Sequence, residues 1–374
     1  MISFRAKFLI ASVFLSAIIF ILACQPKAVR SEEPFQTGEA KGLPTPANVE
    51  PITIAAVGDI MMGSPFPNDT RMPPNDGADL FKDVAPILSA ADIAFGNLEG
   101  PIIDGGVSTK CSPRSTRCFA FRMPTRYGKY LKEAGFDVIS LANNHAGDFG
   151  DAGRSSTRKV LDDLGIKHAG SDRGRFSTTI LDVKGLKVAV IGFAHNNITP
   201  NVNDLAAARQ LVQQADKQAD IVIVSFHGGA EGTASQNVPN RTETYVGEAR
   251  GNLPLFSRTV IDAGADLVLG HGPHVLRGIE IYKDRLIAYS LGNFATYGWF
   301  RLEAETALTM ILNVELDANG KFLRGTIHAG RQEGRGIPVL DDTGTAIKVV
   351  RNLSETDFGP NAPKISDNGS LSVK

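Results

Sequence analysis

Cysteine is scarce, with only Cys24, Cys111 and Cys118 in 374 residues. That excludes a disulfide-dense scaffold and a zinc site built from four thiolates. Neither sign of charge is in excess: 39 Lys and Arg stand against 40 Asp and Glu. A balance this even argues against a nucleic-acid-binding surface. Histidine occurs seven times and tryptophan once, at Trp299. No internal repeat is visible, which excludes a solenoid or propeller array. What is abundant is glycine, 38 residues, in a chain that is 43% hydrophobic and 21% charged. This is the composition of a soluble α/β protein with many loops at strand ends.

Only one apolar run is long. Phe8 to Ala23 follows Arg5 and Lys7, is interrupted only by Ser12 and Ser16, and ends Ile21-Leu22-Ala23-Cys24. Residues 1–23 read as a secretory signal peptide, about three residues short of a comfortable membrane span. The ending resembles a bacterial lipobox, which implies cleavage before Cys24 and acylation of that residue; a plain membrane anchor is the alternative. Both place the protein outside the cytoplasm, anchored to the cell envelope. If the cell is Gram-negative, the resemblance with Gln25 next to Cys24 implies outer-membrane sorting. Residues 24–50 carry four prolines and read as a flexible tether. In an oxidising compartment the remaining pair, Cys111 and Cys118, is expected to close a small disulfide loop.

The domain is expected to span 51–350, with a polar C-terminal tail at 351–374 that frays from about Leu353. Buried-strand runs appear at 52–57, 92–95, 136–142, 220–226 and 265–269, and helical spacing at 77–90, 125–134, 150–164, 203–218 and 253–263. A hairpin is predicted across Lys184-Gly185, so the sheet cannot be purely parallel.

Five of the strands share a feature. Asp59, Asn97 with Glu99, Asn144 with His145, His227, and His271 with His274 each stand where a core strand stops. In open α/β sheets such ends lie along one edge, where ligands bind. Turn chemistry explains Asn and Asp there but not histidine. A mixed nitrogen and oxygen set of this size suits one or two divalent ions such as Mn, Fe or Zn. Two such ions side by side can activate water and clamp substrate oxygens.

The motifs carrying a family resemblance are Gly58-Asp59-Ile60-Met61, Gly96-Asn97-Leu98-Glu99-Gly100-Pro101, Asn143-Asn144-His145, His227-Gly228-Gly229, Gly270-His271-Gly272-Pro273-His274 and Gly292-Asn293-Phe294. In this order and spacing the chain resembles the CapA family of poly-γ-glutamate capsule synthesis, whose fold is similar to calcineurin-like metallophosphoesterases. The resemblance implies an αββα sandwich of two mixed β-sheets flanked by helices. It implies Asp59, Glu99, Asn144, His227, His271 and His274 as metal ligands. His145 is implied as the group that contacts substrate and protonates a leaving group. Met61 stands where phosphoesterases have a histidine, Asn-Leu-Glu replaces their Gly-Asp-x-x-Asp, and the last pair is His-x-x-His. These departures look typical of CapA-like chains.

Three functions follow from the resemblance. The first is a metal-dependent hydrolase or transferase acting on poly-γ-glutamate or a similar anionic envelope polymer. The second is a non-catalytic factor that binds the polymer or capsule synthesis proteins. The third is a secreted phosphoesterase. An acidic polymer calls for polar and basic groups near the site, and Asn97, Arg122, Arg277 and Arg301 are the candidates, with Trp299 lining a pocket or packing in the core.

Overall fold

The computed structural model describes residues 50–111 and 118–374. The signal segment, Cys24 and residues 24–49 of the tether lie outside the described residues. Among those described, no helix is long and apolar enough to cross a membrane.

The chain lays down half of one sheet, leaves to build a second, and returns to finish the first. The first pass gives β1 (Ile52–Met61), β2 (Ile93–Leu98), β3 (Val138–Ser140) and β4 (Lys167–Ala169), paired in that order and all parallel. Helices α1 (Ala85–Leu88), α2 (Gly128–Glu133) and α3 (Gly150–Asp163) connect them. The second pass gives β5 (Thr178–Val183), β6 (Leu186–Ala194), β7 (Ile221–His227), a separate hairpin of β8 (Glu243–Tyr245) and β9 (Glu248–Gly251), then β10 (Leu267–His271), β11 (Ile279–Tyr282) and β12 (Arg285–Ala288). Their sheet runs β11-β12-β10-β7-β6-β5. Helices α4 (Leu205–Asp216) and α5 (Leu253–Ile261) lie between its strands in sequence, each capped by a side chain, Asp204 and Asn252. The return supplies β13 (Asn293–Thr296), β14 (Leu308–Leu316), β15 (Phe322–Glu333) and β16 (Ile337–Leu340) to the first sheet, then α6 (Thr345–Phe358), β17 (Lys364–Ile365) and β18 (Ser370–Ser372).

Strand periodicity explains the layering. Along β1, Ile54 and Ala56 face the second sheet and pack with Phe95, Val190, Ile223 and Leu269. Their neighbours Ala55 and Val57 point the other way, to Leu131, Phe136 and Leu161 beneath the helices. In the second sheet Ile191, Val222 and Val268 meet Val212, Phe256 and Val260 of α4 and α5. Strands buried on both faces cannot alternate apolar with polar, which is why they read as unbroken hydrophobic runs. The molecule is therefore the expected αββα sandwich of two mixed sheets. The hairpin joins β5 and β6 as expected, with Lys184 and Gly185 both at positive φ, the turn whose twist matches the strands.

Two expectations are corrected. Of the helix read at 77–90, only the single turn Ala85–Leu88 forms. Its apolar positions pack as turns around Leu80, Phe81 and Val84, so the spacing reports burial and not a continuous helix. The tail does not fray. Residues 345–358 are helical, β18 pairs with β15 and β17 with β18. Val350 and Leu371 are buried in the inter-sheet core. A polar average hid an amphipathic helix whose one apolar face is enough to dock it.

Candidate metal centre

The parallel strands end together, and their ends bring the chemistry to one place. Asp59 lies inside β1, paired with Asn97 of β2 and Asn293 of β13. His227 closes β7 and His271 closes β10, opposite each other in the ladder. Two glycines permit the close approach of these segments. A Cβ on Gly58 would lie 2.0 Å from the Gly292 carbonyl oxygen, and one on Gly272 would lie 2.6 Å from that of Gly228. His274 itself takes φ of +59°, the left-handed region a non-glycine residue rarely adopts. The loop holds it there with the imidazole turned back on Asp59.

One ligand atom each from Asp59, Glu99 and His274 falls within 4.8 Å of the others. His274 Nδ1 is 3.0 Å from Asp59 Oδ2 and 3.1 Å from Asn293 Oδ1, which fixes the ring and leaves Nε2 3.8 Å from Glu99 Oε1. His271 Nδ1 approaches Asp59 Oδ1 at 3.4 Å, and His227 Nε2 lies 3.8 Å from Glu99 Oε1. All five side chains are buried, His274 retaining 6% exposure. Both oxygens of Glu99, His227 Nε2, His271 Nε2 and Asn144 Oδ1 are buried with no hydrogen-bond partner among the described residues. A buried polar atom without a partner costs ~1–3 kcal/mol, more when charged, so a set of this size calls for a cation or water to complete it. The mixed oxygen and imidazole set fits Mn, Fe or Zn. Asp59, Glu99, His274, His227, His271 and Asn144 are the residues that would hold such an ion.

The buried groups of the cluster shift one another's protonation. Burial pushes Glu99 well above the usual carboxylate range. Burial would also raise Asp59, but the bonds with His271 and His274 outweigh it and hold Asp59 ionised. Burial works against a charged His274, yet the carboxylates of Glu99 and Asp59 beside it push it up to about 10. Burial drives His227 well below its ordinary value, so this ring is neutral, the form that ligates metal.

His145 stands apart from the ligand ring. Its Nδ1 is 2.6 Å from Asp148 Oδ2, and its Nε2 is 3.8 Å from Glu99 Oε1. Asp148 is buried and also accepts from the Phe121 amide at 2.7 Å. The pair thus fixes the imidazole with Nε2 turned toward the cluster. Burial lowers the His145 pKa, against the Asp148 charge that raises it.

The remaining candidates divide. Asn97 is fully buried, and its amide is spent on Asp59 at 2.7 Å, His227 at 3.3 Å and Asn143 at 3.3 Å. It positions ligands and has no free group for substrate. The Arg122 guanidinium lies over the rings of Phe66 and Phe149, its Nη2 3.4 Å from the Pro65 carbonyl, and makes no contact with the cluster. Arg277 is fully buried and pairs bidentately with Glu243 at 2.9 and 2.8 Å. Arg301 is exposed and bonded to Glu303. Trp299 packs on Phe121 with ring centroids 4.2 Å apart. The cysteine pair forms the expected bond between Cys111 and Cys118.

Three site residues escaped the sequence reading, Asp148, Glu231 and Lys110, and Asn293 was read only as part of the Gly292-Asn293-Phe294 motif. Asp148 follows His145 by three residues and Glu231 follows His227 by four, spacings that could have drawn attention. Glu231 Oε2 lies 3.9 Å from His274 Nε2. Lys110, whose Nζ is 3.1 Å from Asp148 Oδ1, comes from a distant loop and left no local signal.

With this geometry in hand, the comparisons with known proteins are specific. The chain is 31% identical over 321 residues to the PGA biosynthesis protein CapA of Bacillus subtilis, covering 81% of this chain and 78% of that one. It is 29% identical over 308 residues to the capsule biosynthesis protein CapA of Bacillus anthracis, covering 78% and 70%. Among solved structures, a 5′-nucleotidase precursor from Thermus thermophilus aligns at 11% identity with a TM-score of 0.41, over 83% of this chain and 59% of that protein's length. The fold described above stands on its own strand order. A family model described as bacterial capsule synthesis protein PGA_cap matches residues 53–297, a span that holds every residue of the cluster. The chain belongs to the PGA_cap family of bacterial capsule synthesis proteins.

Proposed function

We propose that this protein is a metal-dependent enzyme of the cell envelope that acts on poly-γ-glutamate or a similar anionic polymer during capsule synthesis, transport or processing. The observation that carries the reading is the set of buried, unpartnered ligand atoms on Glu99, His227 and His271 around Asp59 and His274. A divalent ion held there supplies Lewis-acid activation of water and of a substrate carbonyl. The protein's own groups divide the rest. Asp148 orients His145 and keeps its Nδ1 engaged, so a proton is exchanged at Nε2, the atom turned toward the cluster. Asn97 and Asn293 brace Asp59 and His274 against reorientation. The relatives named for poly-γ-glutamate and capsule biosynthesis support the polymer as substrate class. Anchoring through an acylated Cys24, outside the cytoplasm, belongs to the same reading.

Elemental analysis of the soluble form lacking residues 1–49, beside a His271→Ala/His274→Ala control, tests it. Roughly one or two Mn, Fe or Zn per chain, lost in the control, is the expected result. A chain free of metal when purified without chelator in supplemented medium overturns the enzymatic reading.

A further inference from the structure

Beyond the aromatic wall that backs His145, two arginines meet over one glycine. Arg71 lies in the loop that follows β1, and Arg335 sits in the turn between β15 and β16. The Gly298 amide donates to the Arg335 carbonyl at 2.7 Å, and the Gly298 carbonyl accepts from Arg71 Nε at 3.2 Å. Gly298 takes φ of +78°, and a Cβ there would lie 3.2 Å from both Arg335 Nη2 and Arg71 Cγ. The two side chains therefore share space that any larger residue would fill. Arg335 Nη1 donates to the Thr70 carbonyl at 2.6 Å, and its guanidinium lies 5.4 Å from the Tyr297 ring.

Backbone carbonyls and aromatic rings thus hold both cations, and no carboxylate pairs with either among the described residues. Asp69 stands in the same loop and is bonded to neither, while Glu333 is engaged by Arg331 and Glu303 by Arg301. Like charges this close disfavour one another. Donors are also left over, since a guanidinium carries five N–H groups. Among the described residues both terminal nitrogens of Arg71 lack a partner without being buried, and Arg335, which is exposed, spends only Nη1.

A run of rings joins this pair to the site. The Arg71 guanidinium lies 4.4 Å from the Trp299 ring, Trp299 packs on Phe121 at 4.2 Å, and Phe121 stacks on His145 at 3.6 Å with planes within 10°. We propose that Arg71 and Arg335 form an anion subsite, which takes a carboxylate of an acidic polymer while another part of the same polymer chain lies at His145. The assignment rests on the acidic-polymer reading above and gives it a place. Guanidinium groups bind planar carboxylates through paired N–H bonds. Two rings stand between the pair and His145, so a single repeat unit at His145 leaves the subsite unfilled. The subsite therefore favours polymer over its smallest fragment.

Calorimetric titration of the full chain tests this without turnover. The ligands are a long γ-linked glutamate oligomer, a dipeptide of the same linkage, and the long oligomer with its free carboxylates amidated. Wild-type protein is expected to bind the long oligomer more tightly than the dipeptide, and more weakly as salt is raised. Arg71→Gln/Arg335→Gln is expected to weaken binding of the long oligomer about 10–100-fold, the scale of one or two charge-assisted hydrogen bonds, and to leave the dipeptide unaffected. Arg335→Gln alone, a change at an exposed side chain that leaves the Trp299 packing intact, is expected to lose several-fold, with thermal unfolding showing the domain still folded. Equal affinity of wild type and the double variant for the long oligomer overturns the subsite. So does an equal loss for dipeptide and oligomer, because the arginines would then act on the site itself. Undiminished binding of the amidated oligomer by the wild type overturns a carboxylate as the group recognised. Absence of binding of the long oligomer by the wild type overturns the acidic-polymer reading and this inference with it. Failure of the subsite alone leaves that wild-type curve in place.

Discussion

His145 Nδ1 lies 2.6 Å from Asp148 Oδ2 while His145 Nε2 points to Glu99, so one imidazole links a buried carboxylate to the ligand ring. If proton exchange at Nε2 limits turnover, His145→Gln should lower the rate about 10²–10⁴-fold with metal content unchanged. Asp148→Asn, which keeps the shape and loses the orienting charge, should fall between. Release of free amino groups from a γ-glutamyl oligomer measures both, and an unaltered rate in His145→Gln would remove this residue from the chemistry.

Glu99 sits at 0% exposure with neither oxygen partnered among the described residues. Glu99→Gln removes a buried ionisable group without changing its shape. The metal-free variant should therefore be no less stable than the metal-free wild type by more than ~1 kcal/mol. Its metal affinity should fall by more than the roughly 10–100-fold that losing an outer-shell partner costs. Thermal melts with and without added Mn or Zn read out both quantities. A variant that still gains the wild-type increment in melting temperature from metal would show that Glu99 is not a ligand.

Arg277 is fully buried against Glu243 and also donates to the carbonyls of Ser235 and Ala230. Replacing it by alanine strands Glu243 as an unpaired buried charge and should cost ~3–5 kcal/mol. Urea unfolding, with the slope unchanged and the midpoint lowered, is the measurement. Loss of less than about 1 kcal/mol would mean that Glu243 finds water or another partner.

Asp266 gives a pH dependence of stability. Burial pushes its carboxyl from 3.8 up to about 6, against the bonds from the Val222 amide and Arg285. The folded state therefore binds this proton more tightly than the unfolded state. The resulting stabilisation is full below about pH 4 and is lost as pH rises through about 6, amounting to roughly 2–3 kcal/mol. The difference in unfolding free energy between wild type and Asp266→Asn should shift by that amount between pH 4 and 7. A pH-independent difference would show that Arg285 keeps Asp266 ionised throughout.

Much of the site was legible because its signals are local. A buried parallel strand announces itself as an apolar run, and the first polar residue past the run must lie at the sheet edge. This placed Asp59, Glu99, Asn144, His227, His271 and His274 in one region before any coordinates. The same logic cannot tell which polar side chains point into the cluster. Asn97 was read as facing substrate, but the ladder sets it between Asp59 and His227 and uses up its amide. Arg277 was read as a basic group near the site, but it is buried against Glu243, 34 residues away in sequence. The C-terminal helix was lost in a polar average, although one face of it fills the core.

By itself the sequence determined the layered α/β architecture, the hairpin that breaks the parallel order, the polar residues gathered at the strand ends and the cysteine bond, all of which follow from periodicity, residue type and short spacing. The tertiary structure alone decided the partners. Hydrogen bonds and ion pairs form between whatever side chains the packed sheets bring within about 3 Å, irrespective of sequence separation. So only the fold could join Lys110 to Asp148 and Asn293 to His274, and turn a set of polar loop residues into one site.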